Sequence, residues 1–286
     1  MSTKFKIPKG SQLSDFGKCW EYYHFLIEFT PVIYKYCNTI ENVSLYVPKL
    51  SDNKFELNKK VNSDKRVGYV KGTMEHIFQE IFDLRITIIP IDPDKISEIE
   101  CAIIPFPKDK FKWSSNNKSI YLLFQKYLYN KFNIYSTLKY LDKKTSISIK
   151  AVKNILIIKR GIQKGCVGSG TERRQLPDKF FNDAIAYFNE KKKGNIFKIV
   201  VLDNMDFKEQ IRLFYDAHII IGIHGAGLSN ILFSKPNSIV FEVGKREHWW
   251  PPCYKNLCEK MDLIYNKSPS NSFNDLIPEL NPIINL

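Results

Sequence analysis

Between residues 218 and 233 an apolar run, Ile219 to Ile223 interrupted by Gly222, leads into His224-Gly-Ala-Gly227 and then Leu228-Ser-Asn-Ile-Leu-Phe233. Glycine lets the backbone approach a bound group closely and adopt angles other residues avoid. Such a turn at a helix start offers N–H groups and the positive end of the helix dipole, which together favour an anion. Gly225, Ala226, Gly227 and Leu228 are therefore candidate contacts to a diphosphate. His224 could donate to the same group, and Ser229 and Asn230 could bind phosphate or ribose. Glu242 ends the next apolar run and could accept from ribose hydroxyls. The same residues also fit a plain strand–helix turn with a satisfied structural histidine. They half-meet the dinucleotide fingerprint, with Asn230 where its third glycine would stand.

A second cluster lies at Asp92-Pro-Asp94, directly after the apolar run Ile86–Ile91. Two carboxylates at this spacing could hold Mg²⁺ or Mn²⁺ against a diphosphate. Proline between them also suits an ordinary turn.

These groups need a scaffold. In the second half, apolar runs at 154–158, 196–202, 218–221 and 238–243 alternate with amphipathic stretches at 177–190, 207–215 and 225–233. That alternation predicts a parallel sheet covered on both faces. In such sheets ligands bind beyond the carboxyl ends of the strands. The first half is less regular. Helices are expected at 19–36, with Pro31 kinking or ending the first segment, at 73–82 and at 119–133. Strands are expected at 43–47, 67–70, 85–90 and 101–104. The domain boundary is set at 150, giving domains 1–150 and 151–286.

The stretch Ile220–Glu242 carries His-Gly-Ala-Gly-Leu-Ser-Asn, then Phe233-x-x-Pro236 and a strand ending in Glu242. It resembles the C-terminal motif of glycosyltransferase family 61. Upstream, Ile157-Ile-Lys-Arg160 and Glu172-Arg-Arg174 resemble the strand-end arginine and the Arg-Arg element of that family. Tyr23-His-Phe-Leu-Ile-Glu28 is similar to its N-terminal helix motif. One departure is Pro177-Asp178, standing where the family usually has an asparagine. The resemblance implies an α/β fold of GT-B type, two Rossmann-like domains with mainly parallel sheets facing across a cleft. The N-terminal domain would bind the acceptor and the C-terminal domain the nucleotide sugar. It implies an inverting transferase that needs no metal or other cofactor. The donor is expected to be a UDP-sugar, xylose first and N-acetylglucosamine next, and the acceptor a glycan hydroxyl.

Displacement at an anomeric carbon needs a clamp on the leaving diphosphate and a base for the acceptor. Arg160 is the first candidate clamp, because a guanidinium can pair bidentately with phosphate oxygens. Arg173 and Arg174 are the others. For the base, His24 and Glu28 stand four residues apart on one expected helix, and Asp15 lies just before it. His76, beside Glu75, is a candidate acceptor contact. Alternatives are a metal-dependent transferase using Asp92 and Asp94, and a non-catalytic nucleotide- or glycan-binding module.

The chain of 286 residues carries a net charge of +13. That favours polyanionic or phosphate-bearing partners. The lysines are scattered rather than gathered into a stripe with aromatics, so no nucleic-acid partner is expected. The six cysteines show no metal-module spacing and read as reduced thiols. Neither a signal-peptide core nor an apolar run long enough to span a bilayer is present. The expected setting is cytoplasmic, and a virus-encoded protein acting in its host's cytoplasm would fit it.

Overall fold

The computed structural model describes residues 2–7, 23–48, 76–83, 85–92, 94–104, 118–137, 153–160, 175–191, 195–203, 205–244 and 252–284. The chain divides into two compact units, Met1–Phe124 and Gln125–Leu286.

In the first unit, β1 (Thr3–Lys6), β2 (Val43–Pro48), β3 (Ile86–Ile91) and β4 (Ala102–Ile103) form one sheet in the order β3-β2-β1-β4. Every pairing is parallel. The polar segment Thr-Lys-Phe-Lys is an inner strand, although the sequence reading gave it none. Its Lys6 ammonium donates to the carbonyls of Ser97 (3.1 Å) and Ile99 (2.6 Å), so the charge is satisfied at the sheet end.

The helix expected to kink or end at Pro31 continues through it, with a change of helical form just before. A π-helical turn, His24–Phe29, passes directly into α1 (Thr30–Cys37). Proline lacks an N–H, and in an α-helix its ring would strike the carbonyl four residues back. Widening the preceding turn relieves both problems. The Thr30 N–H bonds to the Phe25 carbonyl five residues back, and the Thr30 hydroxyl donates to the same oxygen at 2.7 Å. A helix at 76–82, α2, packs Phe78 edge-on to Phe25 at 6.4 Å and tilted against Phe29 at 5.9 Å. The expected strand at 67–70 lies outside the described residues.

The division between the units falls inside α3 (Lys118–Lys131), not at residue 150. The second half of this helix is tied to the second unit. Gln125 donates to the carbonyls of Leu232 (2.7 Å) and Ser234 (3.0 Å), and the Tyr129 hydroxyl to that of Phe233 (2.7 Å).

The second unit contains β5 (Asn154–Ile158), α4 (Asp178–Glu190), β6 (Ile196–Val200), α5 (Phe207–Asp216), β7 (Ile219–Ile223), β8 (Ile239–Val243), α6 (Cys253–Lys260), β9 (Ile264–Ser268) and α7 (Ile277–Ile284). Its sheet is wholly parallel, in the order β6-β5-β7-β8-β9. Ile155, Ile157, Ile219, Ile221 and Phe241 point to one face, where they pack with Phe180, Phe188 and Phe273. The alternate positions, Ile158, Gly222 and Glu242, share one cross-strand row on the opposite face. Two parallel α/β sheets, one per unit, are the Rossmann-like pair of a GT-B type fold.

Candidate functional site

Beyond β5 the second sheet grows first toward β6; it then restarts on the other side with β7. The crevice between two outward-turning connections at such a reversal is where parallel α/β sheets hold ligands. A small open crevice of about 110 Å³ lies there, lined by Arg160, Asp203, Gly225, Ala226, Gly227 and Leu228 among others.

Arg160 stands two residues past the end of β5. A Cβ placed on Gly225 would lie 3.5 Å from its Nη1, so the guanidinium packs directly against the turn. Neighbouring Lys159 also lines the crevice, but its ammonium pairs with Asp178 at 2.9 Å and sits over the Phe181 ring at 4.9 Å. Among the described residues, Arg160 is thus a cation packed against the turn.

The turn continues as a 3₁₀ helix, Ala226–Phe233, within the amphipathic stretch read from the sequence at 225–233. Its first internal bond runs from the Leu228 N–H to the Gly225 carbonyl at 2.9 Å. The amides of Ala226 and Gly227 precede that bond, so the helix itself offers them no carbonyl. Gly222 and Gly227 are required for packing. A Cβ at Gly222 would meet Leu228 Cδ2 at 3.1 Å and Ile158 Cδ1 at 3.2 Å. One at Gly227 would meet Ile158 Cγ2 and Leu202 Cδ1, both at 3.3 Å.

Four expected contacts are placed elsewhere. His224 does not line the crevice. Its imidazole is only 7% exposed, with Nδ1 2.6 Å from Glu242 Oε1 and the ring edge-on to Tyr254 at 5.0 Å. Glu242 is 3% exposed, and its second oxygen accepts from the Tyr265 hydroxyl at 2.5 Å. Both oxygens are therefore engaged inside the protein, and this carboxylate serves the histidine rather than a ribose. A buried carboxyl group needs such partners. Burial, with the hydrogen bond and charge of Glu242, pushes the Tyr265 phenol far above its usual range.

Ser229 and Asn230 are fully buried. Asn230 donates to Gln210 Oε1 at 3.0 Å, and Gln210 Nε2 in turn donates to the carbonyls of Met205 (2.9 Å) and Leu202 (3.3 Å). This pair ties down Leu202 and Met205, and Leu202 lines the crevice. The whole 3₁₀ helix from Leu228 to Phe233 is buried, so the side chains that follow the glycines are enclosed by protein on every side.

The remaining candidates fall as follows. Asp15, Arg173 and Arg174 lie outside the described residues. His24 and Glu28 fall on the π-helical turn of the first unit, not on the α-helix assumed for their spacing. His76, the first described residue of α2, is exposed. Asp92 and Asp94 form an exposed turn in which Asp92 Oδ1 accepts the Asp94 N–H at 3.1 Å. Among the described residues, no group of three or more His, Cys, Asp or Glu could hold a metal. No helix among them is long and apolar enough to cross a membrane.

The sequence profile described as Glycosyltransferase 61 matches residues 22–241. The chain belongs to glycosyltransferase family 61. This family 61 chain is 46% identical over 43 residues to beta-1,2-xylosyltransferase of Arabidopsis thaliana, covering 15% of the chain and 8% of that protein. It is 32% identical over 81 residues to the EGF domain-specific O-linked N-acetylglucosamine transferase of Gallus gallus, covering 27% and 15%. The chain thus spans a small part of the length of either relative. Among solved structures it is similar to E. coli heptosyltransferase WaaC with ADP-2-deoxy-2-fluoro heptose, at 10% identity and a TM-score of 0.41 over 99% of both chains.

Tyr254, Tyr265 and Gln210 were not singled out in the sequence. Tyr254 and Tyr265 act through a single hydroxyl on a partner more than 20 residues away, and Gln210 bridges Asn230 to two nearby carbonyls; no spacing rule marks such residues.

Proposed function

We propose that this family 61 chain is an inverting glycosyltransferase that moves a sugar from a UDP-sugar to a hydroxyl of a glycan, without a metal ion. The observation that carries the reading is the crevice at the strand-order reversal, where Arg160 and the amides of Ala226 and Gly227 come together. A guanidinium beside two backbone donors suits a diphosphate, and it stabilises the charge that grows on that group as it leaves. The acceptor oxygen attacks the anomeric carbon while the bond to the diphosphate oxygen breaks. The nucleotide leaves with the electron pair, and the configuration inverts. The acceptor proton goes to His24 with Glu28, or to Asp15. Xylose is favoured as the sugar, with N-acetylglucosamine next, because the two relatives are named for those sugars.

The test is a thermal-shift and product-release series with UDP, UDP-xylose and UDP-N-acetylglucosamine, with and without EDTA, beside an oligonucleotide arm. UDP and one UDP-sugar are expected to raise the melting temperature, as any ligand selective for the folded state does. EDTA should leave both shift and turnover unchanged. No shift with any of the three overturns the reading. Activity lost to EDTA and restored by Mn²⁺ would replace it with the metal-dependent mechanism at Asp92 and Asp94. Binding without turnover would leave a non-catalytic module.

A further inference from the structure

Tyr254 lies on α6, outside the crevice, and its hydroxyl donates to the Gly225 carbonyl at 2.5 Å. That carbonyl also receives the Leu228 N–H at 2.9 Å. In a planar trans peptide the carbonyl of one residue and the N–H of the next point in opposite directions. No described peptide is cis. Holding the Gly225 oxygen toward Tyr254 therefore turns the Ala226 N–H away from Tyr254. Ala226 lines the crevice and Tyr254 does not. Two hydrogen bonds onto one carbonyl also polarise its peptide, which makes the N–H a stronger donor. The Tyr254 ring is held in turn, edge-on to His224, which Glu242 and Tyr265 anchor.

We propose that Tyr254 is a positioning residue for anion binding. Its hydroxyl fixes the Gly225–Ala226 peptide so that the Ala226 amide is preset for the diphosphate of a nucleotide. The identity of the ligand rests on the reading above; the aiming of the amide does not. The buried His224–Glu242–Tyr265 chain is then the support of this latch, which gives a role to a histidine that never reaches the crevice.

The test compares wild type, Tyr254→Phe and Tyr187→Phe. The second variant also loses one tyrosine hydroxyl bond, to Asn281 Oδ1 at 2.8 Å, but away from the crevice. Affinities for UDP and for inorganic pyrophosphate are measured beside the melting temperature. Tyr254→Phe is expected to weaken both ligands about tenfold, the scale of one hydrogen bond to a charged group. Tyr187→Phe should lower the melting temperature comparably and leave both affinities within about twofold. The proposal is overturned if Tyr254→Phe binds both ligands like wild type, or if Tyr187→Phe weakens them equally. Wild type that binds pyrophosphate but not UDP removes the nucleotide reading only, and the pyrophosphate arm still decides the latch. Wild type that binds neither overturns both.

Discussion

Two strands of this molecule end in the same kind of device, with opposite outcomes. After β3 and after β7 a short turn leads into a 3₁₀ helix, at Ile96–Glu98 and at Ala226–Phe233. The first turn uses up its own donors. The Asp94 N–H goes to the Asp92 carboxylate, and the N–H groups of Lys95 and Ile96 go to the Asp92 carbonyl. The second is pinned from the acceptor side, by Tyr254 on the Gly225 carbonyl. A side-chain acceptor at the start of a turn closes it to anions. A side-chain donor on the carbonyl holds the turn just as firmly and leaves its amides for a ligand.

The comparison breaks most sharply at the carboxylates. Glu242→Ala should cost about 3–5 kcal/mol of stability in urea unfolding, because it leaves a buried histidine and phenol without their partner. Asp92→Ala, at an exposed turn, should cost about 1 kcal/mol, as a lost cap does. Equal losses would mean that Glu242 is solvated and its network unimportant.

Next comes the ligand side. Arg160→Ala should lower transfer about 100-fold, on the scale of one preorganised donor at a developing charge. The double variant Asp92→Asn, Asp94→Asn should stay within about twofold of wild type. Steady-state rates of nucleotide release read both.

Packing under the glycine turn gives a smaller effect. Gly222→Ala forces Leu228 and Ile158 apart and should cost about 1–3 kcal/mol. Thermal melting checks it, and a neutral result would show that Leu228 has room to shift.

A further effect is in pH dependence. Burial, aided by the charges of Glu242 and Glu259, raises the Cys258 thiol to about 12 from an ordinary 9.0. The folded thiol stays neutral while the unfolded one ionises. Its contribution is whole below pH 9 and falls away as pH climbs from 9 through about 12. Cys258→Ala should therefore flatten the alkaline limb of the stability curve, measured by urea midpoints between these pH values. An unchanged limb would place the titration elsewhere.

The sequence exposes the second sheet well because Asn154–Ile158 and Ile219–Ile223 are apolar on both faces, as buried parallel strands are. It hides β1 and β9. Thr-Lys-Phe-Lys owes its inner place to the carbonyls that receive Lys6, and Ile-Tyr-Asn-Lys-Ser sits at an edge with little to bury. At the site, the glycines and Arg160 are legible because their chemistry is local to a strand end. His224 and Glu242 are visible as residues but not in their roles. Only the parallel register brings Tyr265, paired with Val240, close enough to occupy the second oxygen of Glu242.

The bonds from Gln125 and Tyr129 to the last carbonyls of the 3₁₀ helix bear on how the molecule can be cut. A piece starting after residue 150 discards both side chains and strands the oxygens of residues 232 to 234. One starting at or before 118 takes the whole helix along and keeps that end of the segment sealed, so the second unit, to be studied by itself, should carry all of α3 as a plug.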